Sequence, residues 1–351
     1  MSGQAAVSGL NPAFPSADWL ADLQARGPNP AFAEARAALD ERTEGYHRVL
    51  PDLPARQAGY YHEFFCPVHA VQLVFNPLDG HHHVCPVDGV VYSGEPFDSA
   101  WGWSVNDALS DAALRASVRR ALGHAPGRAD ADAGLLRHVL LGYAERYRTM
   151  PAAPQGHPDQ YSGIVCWSAL DESVWIIRLV WAAAMARHLW SAGEVALLRE
   201  GLFRPALEQL TRVRYQQIQN VGNWDRGAIL ALGLVLDDEA AIHDAIEGEY
   251  ALRDQLTRGV TAEGLWWELS LSYHFYVLGA LSWTIRAFRA TGRRFDQEDV
   301  VRRMFQAPLD LAFPDASLPA TNEGSQTMRF PAVPVATVAS RSHVLPSSSD
   351  R

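Results

Sequence analysis

The chain has 351 residues, 48% hydrophobic and 20% charged, so it can bury a large core and has the composition of a soluble globular protein. Its formal net charge of −10 argues against a nucleic-acid partner, because phosphates would be repelled. Lysine is absent and all 30 basic side chains are arginine, which excludes Schiff-base catalysis and a Walker-type phosphate lysine.

Cysteine usage and the absence of apolar runs indicate the compartment. The chain has three cysteines, Cys66, Cys85 and Cys166, which is an odd number without the density of a disulfide framework. The first five residues lack the basic and apolar regions of a signal peptide, and no apolar run approaches the ~20 residues of a membrane span. We therefore expect a cytoplasmic protein without a membrane partner.

The first hundred residues differ from the rest of the chain. Residues 1–58 are rich in Pro, Ala and Arg, and we interpret them as an N-terminal helical extension with one helical pattern at 31–50. Residues 59–103 form a His- and Cys-bearing irregular segment, in which 71–75 and 90–92 are predicted strands of a local hairpin.

From residue 104 to 313 one helical pattern follows another, with apolar residues at three- and four-residue spacing. The predicted helices cover residues 105–122, 133–147, 170–190, 194–217, 224–236, 239–256, 266–291 and 299–304. Asp237-Asp238 joins two of them in the position of an N-cap. Short loops indicate antiparallel neighbours, which close either as a solenoid or as an α/α toroid.

No repeat of fixed period is visible, which disfavours the solenoid. The prediction is an all-α protein, an incomplete α/α toroid of antiparallel helical hairpins with a small irregular or β-hairpin N-terminal segment. Residues 314–351 turn to Pro, Ser, Thr and Val without a helical period, and we interpret them as a linker and a disordered tail.

Several potential metal ligands lie in the irregular segment. They are His62, Cys66, His69, His81, His82, His83 and Cys85. The run from Cys85 to Gly89 is similar to a Cys-Pro-x-Cys-Gly zinc knuckle in which Asp88 replaces the second cysteine. A structural zinc site needs four well-spaced ligands, and the gap between Cys66 and Cys85 fits poorly. We therefore predict no metal, and expect this segment to pack on the toroid.

Two motifs in the helical part suit one chemistry. Gln219-Asn220-Val221-Gly222-Asn223-Trp224 stands where a helical pattern breaks, and Trp266-Trp267-Glu268 precedes Tyr273-His274-Phe275-Tyr276. An amide at a helix edge and a tyrosine-rich helix are suited to proton abstraction next to a sugar carboxylate. From about residue 60 to 322 the layout resembles the toroid domain of heparinase II/III-like polysaccharide lyases, which include alginate and heparin lyases.

The resemblance implies a role for Asn220. It stands four residues before Trp224, where such lyases carry the asparagine that neutralises the substrate carboxylate. The alternative is that Asn220 caps a helix beginning near Trp224, although Asn223 is closer to that start. The family often places a histidine directly after this asparagine, and here Val221 stands there. His274 and Arg226 are candidates to replace it.

Within the second motif, the resemblance implies that Tyr273 is the catalytic base and acid, with Tyr276 as second choice. They lie three residues apart in the sequence, so we expect both on one helix face. The alternative is that aromatic residues at this spacing belong to the core. Trp224, Arg226, Trp266, Trp267 and Glu268 are the candidate substrate-binding residues.

The predicted substrate is a uronate-containing polysaccharide or oligosaccharide, cleaved by β-elimination without a metal or organic cofactor. A glycoside hydrolase on the same fold is an alternative, and it needs two carboxylates in one cleft. Its candidates are Asp171, Glu172, Asp225 and Glu268. A truncated, non-catalytic sugar-binding toroid is another, because 318–323 resembles the family linker and no β-sandwich follows it.

Overall fold

The computed structural model describes residues 9–154, 161–322 and 328. Helices dominate these residues and their only sheet is a two-stranded hairpin, so the predicted all-α fold is confirmed. The helices are α1 (Ala17–Arg26), α2 (Ala33–Arg48), α3 (Phe97–Ala121), α4 (Ala129–Arg146), α5 (Ala169–Met185), α6 (Ala192–Leu197), α7 (Arg204–Val213), α8 (Asn220–Leu236), α9 (Glu239–Ile246), α10 (Leu252–Gly259), α11 (Leu271–Thr291) and α12 (Glu298–Leu311). None of the described helices is long and apolar enough to cross a membrane.

The helices pack in two rows. The inner row consists of α3, α5, α8 and α11, each packed against the next. The outer row consists of α4, α7, α9 and α12, which pack on the inner helices near them in sequence. Helix α1 contacts both α11 and α3, so it bridges the two ends of the inner row.

The sequence of α8 explains its central position. Its residues from Gly222 to Leu236 are all buried, and from Gly227 onward they are all apolar, as expected of a helix that is buried on every face. The helix ends at Asp237, whose φ of 59° is left-handed, and Asp238 then caps α9 by accepting a hydrogen bond from the Ala241 amide (3.1 Å). The predicted N-cap at this junction is confirmed.

Several predicted boundaries were wrong. Helix α8 begins at Asn220 rather than at Trp224, and α11 begins at Leu271 rather than at residue 266. The predicted helix 194–217 is divided into α6, a π-helical turn (Leu198–Phe203) and α7. The predicted helix 239–256 is divided into α9 and α10, because Gly248 and Tyr250 between them have positive φ angles.

The N-terminal segment also differs from expectation. Helix α3 begins at Phe97, so the helical body starts before residue 104, and α1 was not predicted. Phe14 packs edge-on against Trp181 of α5 (ring centroids 4.9 Å apart), so the N-terminal extension shares the main core. Residues 1–8 and most of the predicted tail (323–327 and 329–351) lie outside the described residues.

The predicted hairpin has one correct strand and one wrong strand. Strand β2 (Val91–Tyr92) pairs antiparallel with β1 (His83–Val84), whereas residues 71–75 form no strand. Instead, the Val74 amide donates to the Val84 carbonyl (2.9 Å), which attaches that segment to the edge of the hairpin. A small separate core lies beneath these turns, and its buried members are Phe64, Cys66, Leu73, Cys85 and Ala100.

Candidate active site

An open cavity of about 580 Å³ lies where α8 and α11 begin. Its lining residues are Gln219, Asn220, Trp267, Glu268, Ser270, Tyr273 and Asn322. Asn220 and Tyr273, which the sequence analysis selected from two separate motifs, thus line the same cavity. We call it the Asn220 cavity.

The loop between α10 and α11 brings the second motif to the start of α8. An isolated bridge pairs Val260 with Trp266, and Leu269 then adopts a left-handed φ of 54° just before the helix. The Ser270 hydroxyl caps α11 by accepting a hydrogen bond from the Tyr273 amide. Tyr273 therefore stands in the first turn of α11, facing the cavity.

The Glu268 carboxylate is the partner of Asn220. The Nδ2 atom of Asn220 lies 3.1 Å from both carboxylate oxygens, and its backbone amide donates to Oε2 at 3.1 Å. The buried indole of Trp266 donates to the same oxygen (2.5 Å). Because the N-terminus of a helix carries partial positive charge, this is an anion site, which the protein's own Glu268 occupies.

Neither Asn220 nor Asn223 caps helix α8. Gln219 stands at the N-cap of α8 and makes no side-chain cap hydrogen bond. The Glu268 carboxylate instead accepts a hydrogen bond from the Asn220 amide at the start of the helix. Asn223 is fully buried, and its Nδ2 donates to the Gln219 carbonyl (3.3 Å) while its Oδ1 lacks a partner among the described residues.

The two neighbouring tryptophans have different environments. Trp266 is completely buried, whereas Trp267 is 48% exposed and lines the Asn220 cavity. The indole of Trp267 donates to the Ile218 carbonyl (3.0 Å), which fixes the plane of its ring. Trp267 can therefore present a ring face to a ligand, and Trp266 cannot.

His274 does not line the Asn220 cavity. It is buried, its Nδ1 accepts a hydrogen bond from the Trp266 amide (3.1 Å), and its Nε2 donates to the Met304 carbonyl (2.8 Å). Burial lowers the pKa of His274, which favours the neutral ring that this pairing requires. The histidine thus connects the tryptophan loop to α12.

Arg226 also lies away from the Asn220 cavity. Its guanidinium is buried and donates to the carbonyl (3.0 Å) and the carboxylate (3.2 Å) of Asp244. Neither Arg226 nor His274 lines the Asn220 cavity, so neither replaces the family histidine there. The structure brings three other polar residues to the cavity, Gln219, Ser270 and Asn322. Of these, only Ser270 has a sequence signal, because a serine is a preferred N-cap, although the predicted helix began at residue 266, too early to use it.

Tyr276 lines a second, smaller cavity of about 210 Å³, which we call the Tyr276 cavity. Its other lining residues are Trp103, Asn106, Asp107, Ser110, Cys166, Asp171, Val174, Trp175 and Arg178. The Tyr276 ring packs on the buried Trp224 (centroids 5.1 Å apart). Burial, reinforced by the Asp171 and Asp225 carboxylates, raises the pKa of Tyr276 above its usual range. The two tyrosines therefore do not share a cavity.

The four carboxylates considered for a hydrolase are dispersed. Asp171 lines the Tyr276 cavity and accepts from the Trp103 indole (2.9 Å), whereas Glu268 lines the Asn220 cavity. Glu172 is buried, and the three successive amides of residues 164–166 donate to its Oε2 at 2.8–3.3 Å. Asp225 is also buried, and burial raises its pKa to about 6. No two of the four line one of these cavities.

Comparison with known proteins shows a sequence similarity to a polysaccharide lyase. No family model matches the chain. A curated alginate lyase from Stenotrophomonas maltophilia (strain K279a) is 32% identical over 114 residues. The match covers 32% of this chain and 15% of that protein. The chain is thus similar to a polysaccharide lyase over about a third of its length.

Proposed function

We propose that this protein is a polysaccharide lyase-like enzyme that cleaves a uronate-containing polysaccharide or oligosaccharide by β-elimination in the Asn220 cavity. One observation carries the proposal: an amide on a helix N-terminus, a tyrosine and a half-exposed tryptophan line a single open cavity. The sequence similarity to an alginate lyase supports the reaction class. The packing of inner and outer helices supports the finer proposal of a heparinase II/III-like incomplete α/α toroid.

Asn220 would act on the substrate carboxylate. A proton next to an ionised carboxylate is barely acidic, because its removal places more negative charge beside an existing charge. Hydrogen bonds aimed at that carboxylate stabilise the charge that develops. The Asn220 side chain and the start of α8 supply such donors, since they already hold the Glu268 carboxylate.

Tyr273 would transfer the proton. Its phenolate oxygen accepts the C5 proton, the electron pair of that bond forms the C4–C5 double bond, and the C4–O bond breaks. The departing glycosidic oxygen then takes the proton from the Tyr273 hydroxyl, so the phenolate is regenerated and no external acid is consumed. One tyrosine can serve in both steps when the C5 proton and the leaving oxygen lie on the same face of the sugar ring.

Trp267 and Glu268 would bind the sugar. The half-exposed Trp267 ring offers a flat apolar face to a sugar ring. Glu268 is an anion at the position where a uronate carboxylate would bind, and two carboxylates cannot share one set of donors without repulsion. We therefore propose that the substrate carboxylate displaces Glu268 from Asn220, and that the released carboxylate accepts from sugar hydroxyls.

The test is an elimination assay on purified protein with alginate, heparan sulfate, hyaluronan and oligouronates. Elimination leaves a conjugated C4–C5 double bond, so ultraviolet absorbance rises as product forms. Asn220→Ala is expected to lower kcat by about 10²- to 10³-fold, the usual effect of removing one such donor.

A matched control is Asn322→Ala. Its side chain donates to the Glu268 backbone carbonyl rather than to the carboxylate, so most of the activity is expected to remain. A flat absorbance trace on every polymer, from protein shown to be folded, would overturn the lyase proposal. Sugar binding without product would then favour the non-catalytic alternative.

A further inference from the structure

Two turns with the same sequence pattern face one another in the N-terminal segment. Cys66-Pro67-Val68-His69 and Cys85-Pro86-Val87-Asp88 both begin with a cysteine followed by Pro-Val, and both carry a metal-binding residue type in fourth place. Both cysteines are free thiols, and each is only 1% exposed. The segment lies outside both cavities described above.

The backbone of the two turns is also the same. In each turn the cysteine carbonyl accepts from the amide four residues later, at 2.8 Å for Cys66 and 3.0 Å for Cys85. Each cysteine amide donates to the carbonyl five residues later, at 2.8 Å and 2.9 Å respectively. The residue four positions after each cysteine has a left-handed φ, 51° at Ala70 and 75° at Gly89. Two copies of one turn therefore present their cysteines to each other.

Backbone amides point at both sulfur atoms. The His69 amide lies 3.4 Å from the Cys66 Sγ, and the Val87 amide lies 3.4 Å from the Cys85 Sγ. Amide donors favour the thiolate over the neutral thiol, and the thiolate is the form that binds metal.

The separations between ligand atoms fit a tetrahedral ion. The Nδ1 atom of His69 lies 3.5 Å from the Sγ of Cys66 and 3.5 Å from the Sγ of Cys85. With zinc bonds of ~2.3 Å to sulfur and ~2.0 Å to nitrogen, a tetrahedral angle places sulfur and nitrogen about 3.5 Å apart. All three atoms lie within 4.8 Å of one another.

Asp88 stands where a fourth ligand is needed. Its Oδ2 lies 3.7 Å from the Nδ1 of His69, and it follows Cys85 by three residues in the second turn. Tetrahedral zinc would place oxygen and nitrogen about 3.4 Å apart; the Asp88 carboxylate lies outside the group of three close ligand atoms and would move toward the two sulfur atoms to complete the set.

We propose that Cys66, His69, Cys85 and Asp88 bind one structural zinc ion. Four protein ligands leave no open coordination position, which is typical of structural rather than catalytic zinc. The ion would join the two turns across a segment whose own core has only five buried residues. It would also fix the nearby Tyr61, whose ring packs on Trp103 (4.2 Å) at the lining of the Tyr276 cavity.

The direct test measures zinc per chain by mass spectrometry on tag-free protein kept reduced and grown with zinc. About one zinc per chain is expected for a closed structural site. Cys66→Ser and Cys85→Ser are expected to lose it. Cys166→Ala removes the third buried cysteine, and His82→Ala removes an exposed neighbouring histidine; both are expected to retain it. Wild-type protein without bound zinc, and without uptake after metal depletion, would overturn the proposal.

Cobalt substitution identifies the ligands independently of folding yield. Metal-depleted protein loaded with Co²⁺ is expected to show a thiolate-to-metal charge-transfer band, and a spectrum without it would contradict cysteine ligation. Asp88→Ala is expected to lower the zinc affinity by at least about tenfold, because it removes one of four ligands. An unchanged affinity in that variant would overturn the assignment of the fourth ligand.

Discussion

Tyr273 and Tyr276 stand one turn apart on α11 but line cavities with different chemistry. Tyr273 lines an open cavity of about 580 Å³, in which the Asn220 side chain donates a hydrogen bond to the Glu268 carboxylate. The Tyr276 side is a cavity of about 210 Å³, where burial and two carboxylates raise the pKa of the phenol. Burial and neighbouring charge thus distinguish two tyrosines that spacing alone treats as equivalent.

Replacing each tyrosine tests this comparison most strongly. Tyr273→Phe is expected to lower kcat by about 10²- to 10⁴-fold, because the proton-transfer group is removed. Tyr276→Phe, the matched control, is expected to stay within about threefold of wild type. The measurement is the initial rate of ultraviolet absorbance increase. The opposite result, with Tyr276→Phe inactive, would move the catalytic site to the Tyr276 cavity.

The tryptophan pair separates binding from stability. Trp266→Ala deletes a fully buried ring and is expected to cost about 3–5 kcal/mol of unfolding free energy. Trp267→Ala removes a half-exposed ring, so we expect KM to rise roughly fivefold, about 1 kcal/mol, with the fold intact. Urea unfolding and steady-state kinetics check the two effects. An unchanged KM in Trp267→Ala would remove this ring from the sugar site.

The buried carboxylate beside Tyr276 makes stability depend on pH. Burial raises the pKa of Asp225 from 3.8 to about 6, so between these values the folded protein holds a proton that the unfolded chain releases. Its stabilising contribution is complete below pH 3.8 and is lost as the pH rises through 6.

We therefore compare urea unfolding of wild type and Asp225→Asn at pH 5 and pH 7. Between pH 5 and pH 7, the free energy of unfolding of the wild type is expected to fall by on the order of 1–2 kcal/mol more than that of the variant. Equal pH dependence in both proteins would show that Asp225 titrates normally.

Glu268→Gln tests the displacement step. The variant keeps an acceptor for Asn220 but removes the charge that competes with the substrate carboxylate. We expect KM for a polyuronate to fall about threefold, with a weaker dependence on salt, and kcat to change little. A kcat reduced more than about a hundredfold would instead make Glu268 a proton-transfer group.

Four of the residues selected from the sequence line the Asn220 cavity, and three of its lining residues were not selected. The two motifs mark the starts of α8 and α11, which lie close together in the fold. Their residues therefore line one cavity, and those selected from the sequence are Asn220, Trp267, Glu268 and Tyr273. The pairing of Asn220 with Glu268 joins residues 48 positions apart, which no local pattern indicates.

The absence of a metal remains a prediction from the sequence, and the zinc proposal departs from it. The cluster was compared with a knuckle built from cysteines, so Asp88 counted as a lost ligand. The repeated Cys-Pro-Val at 66 and 85 was the available signal. Only the folded backbone brings the Cys66 and Cys85 turns face to face around His69.

The sequence by itself determined the all-α class, the approximate positions of most helices and the types of residue available for chemistry. These depend on apolar periodicity and turn residues, which act over a few positions. The tertiary structure alone decided that Trp266 and His274 are buried, that Tyr273 and Tyr276 line separate cavities, and that Glu268 meets Asn220. The physical reason is that burial and charge pairing depend on residues far apart in the chain, which only packing brings together.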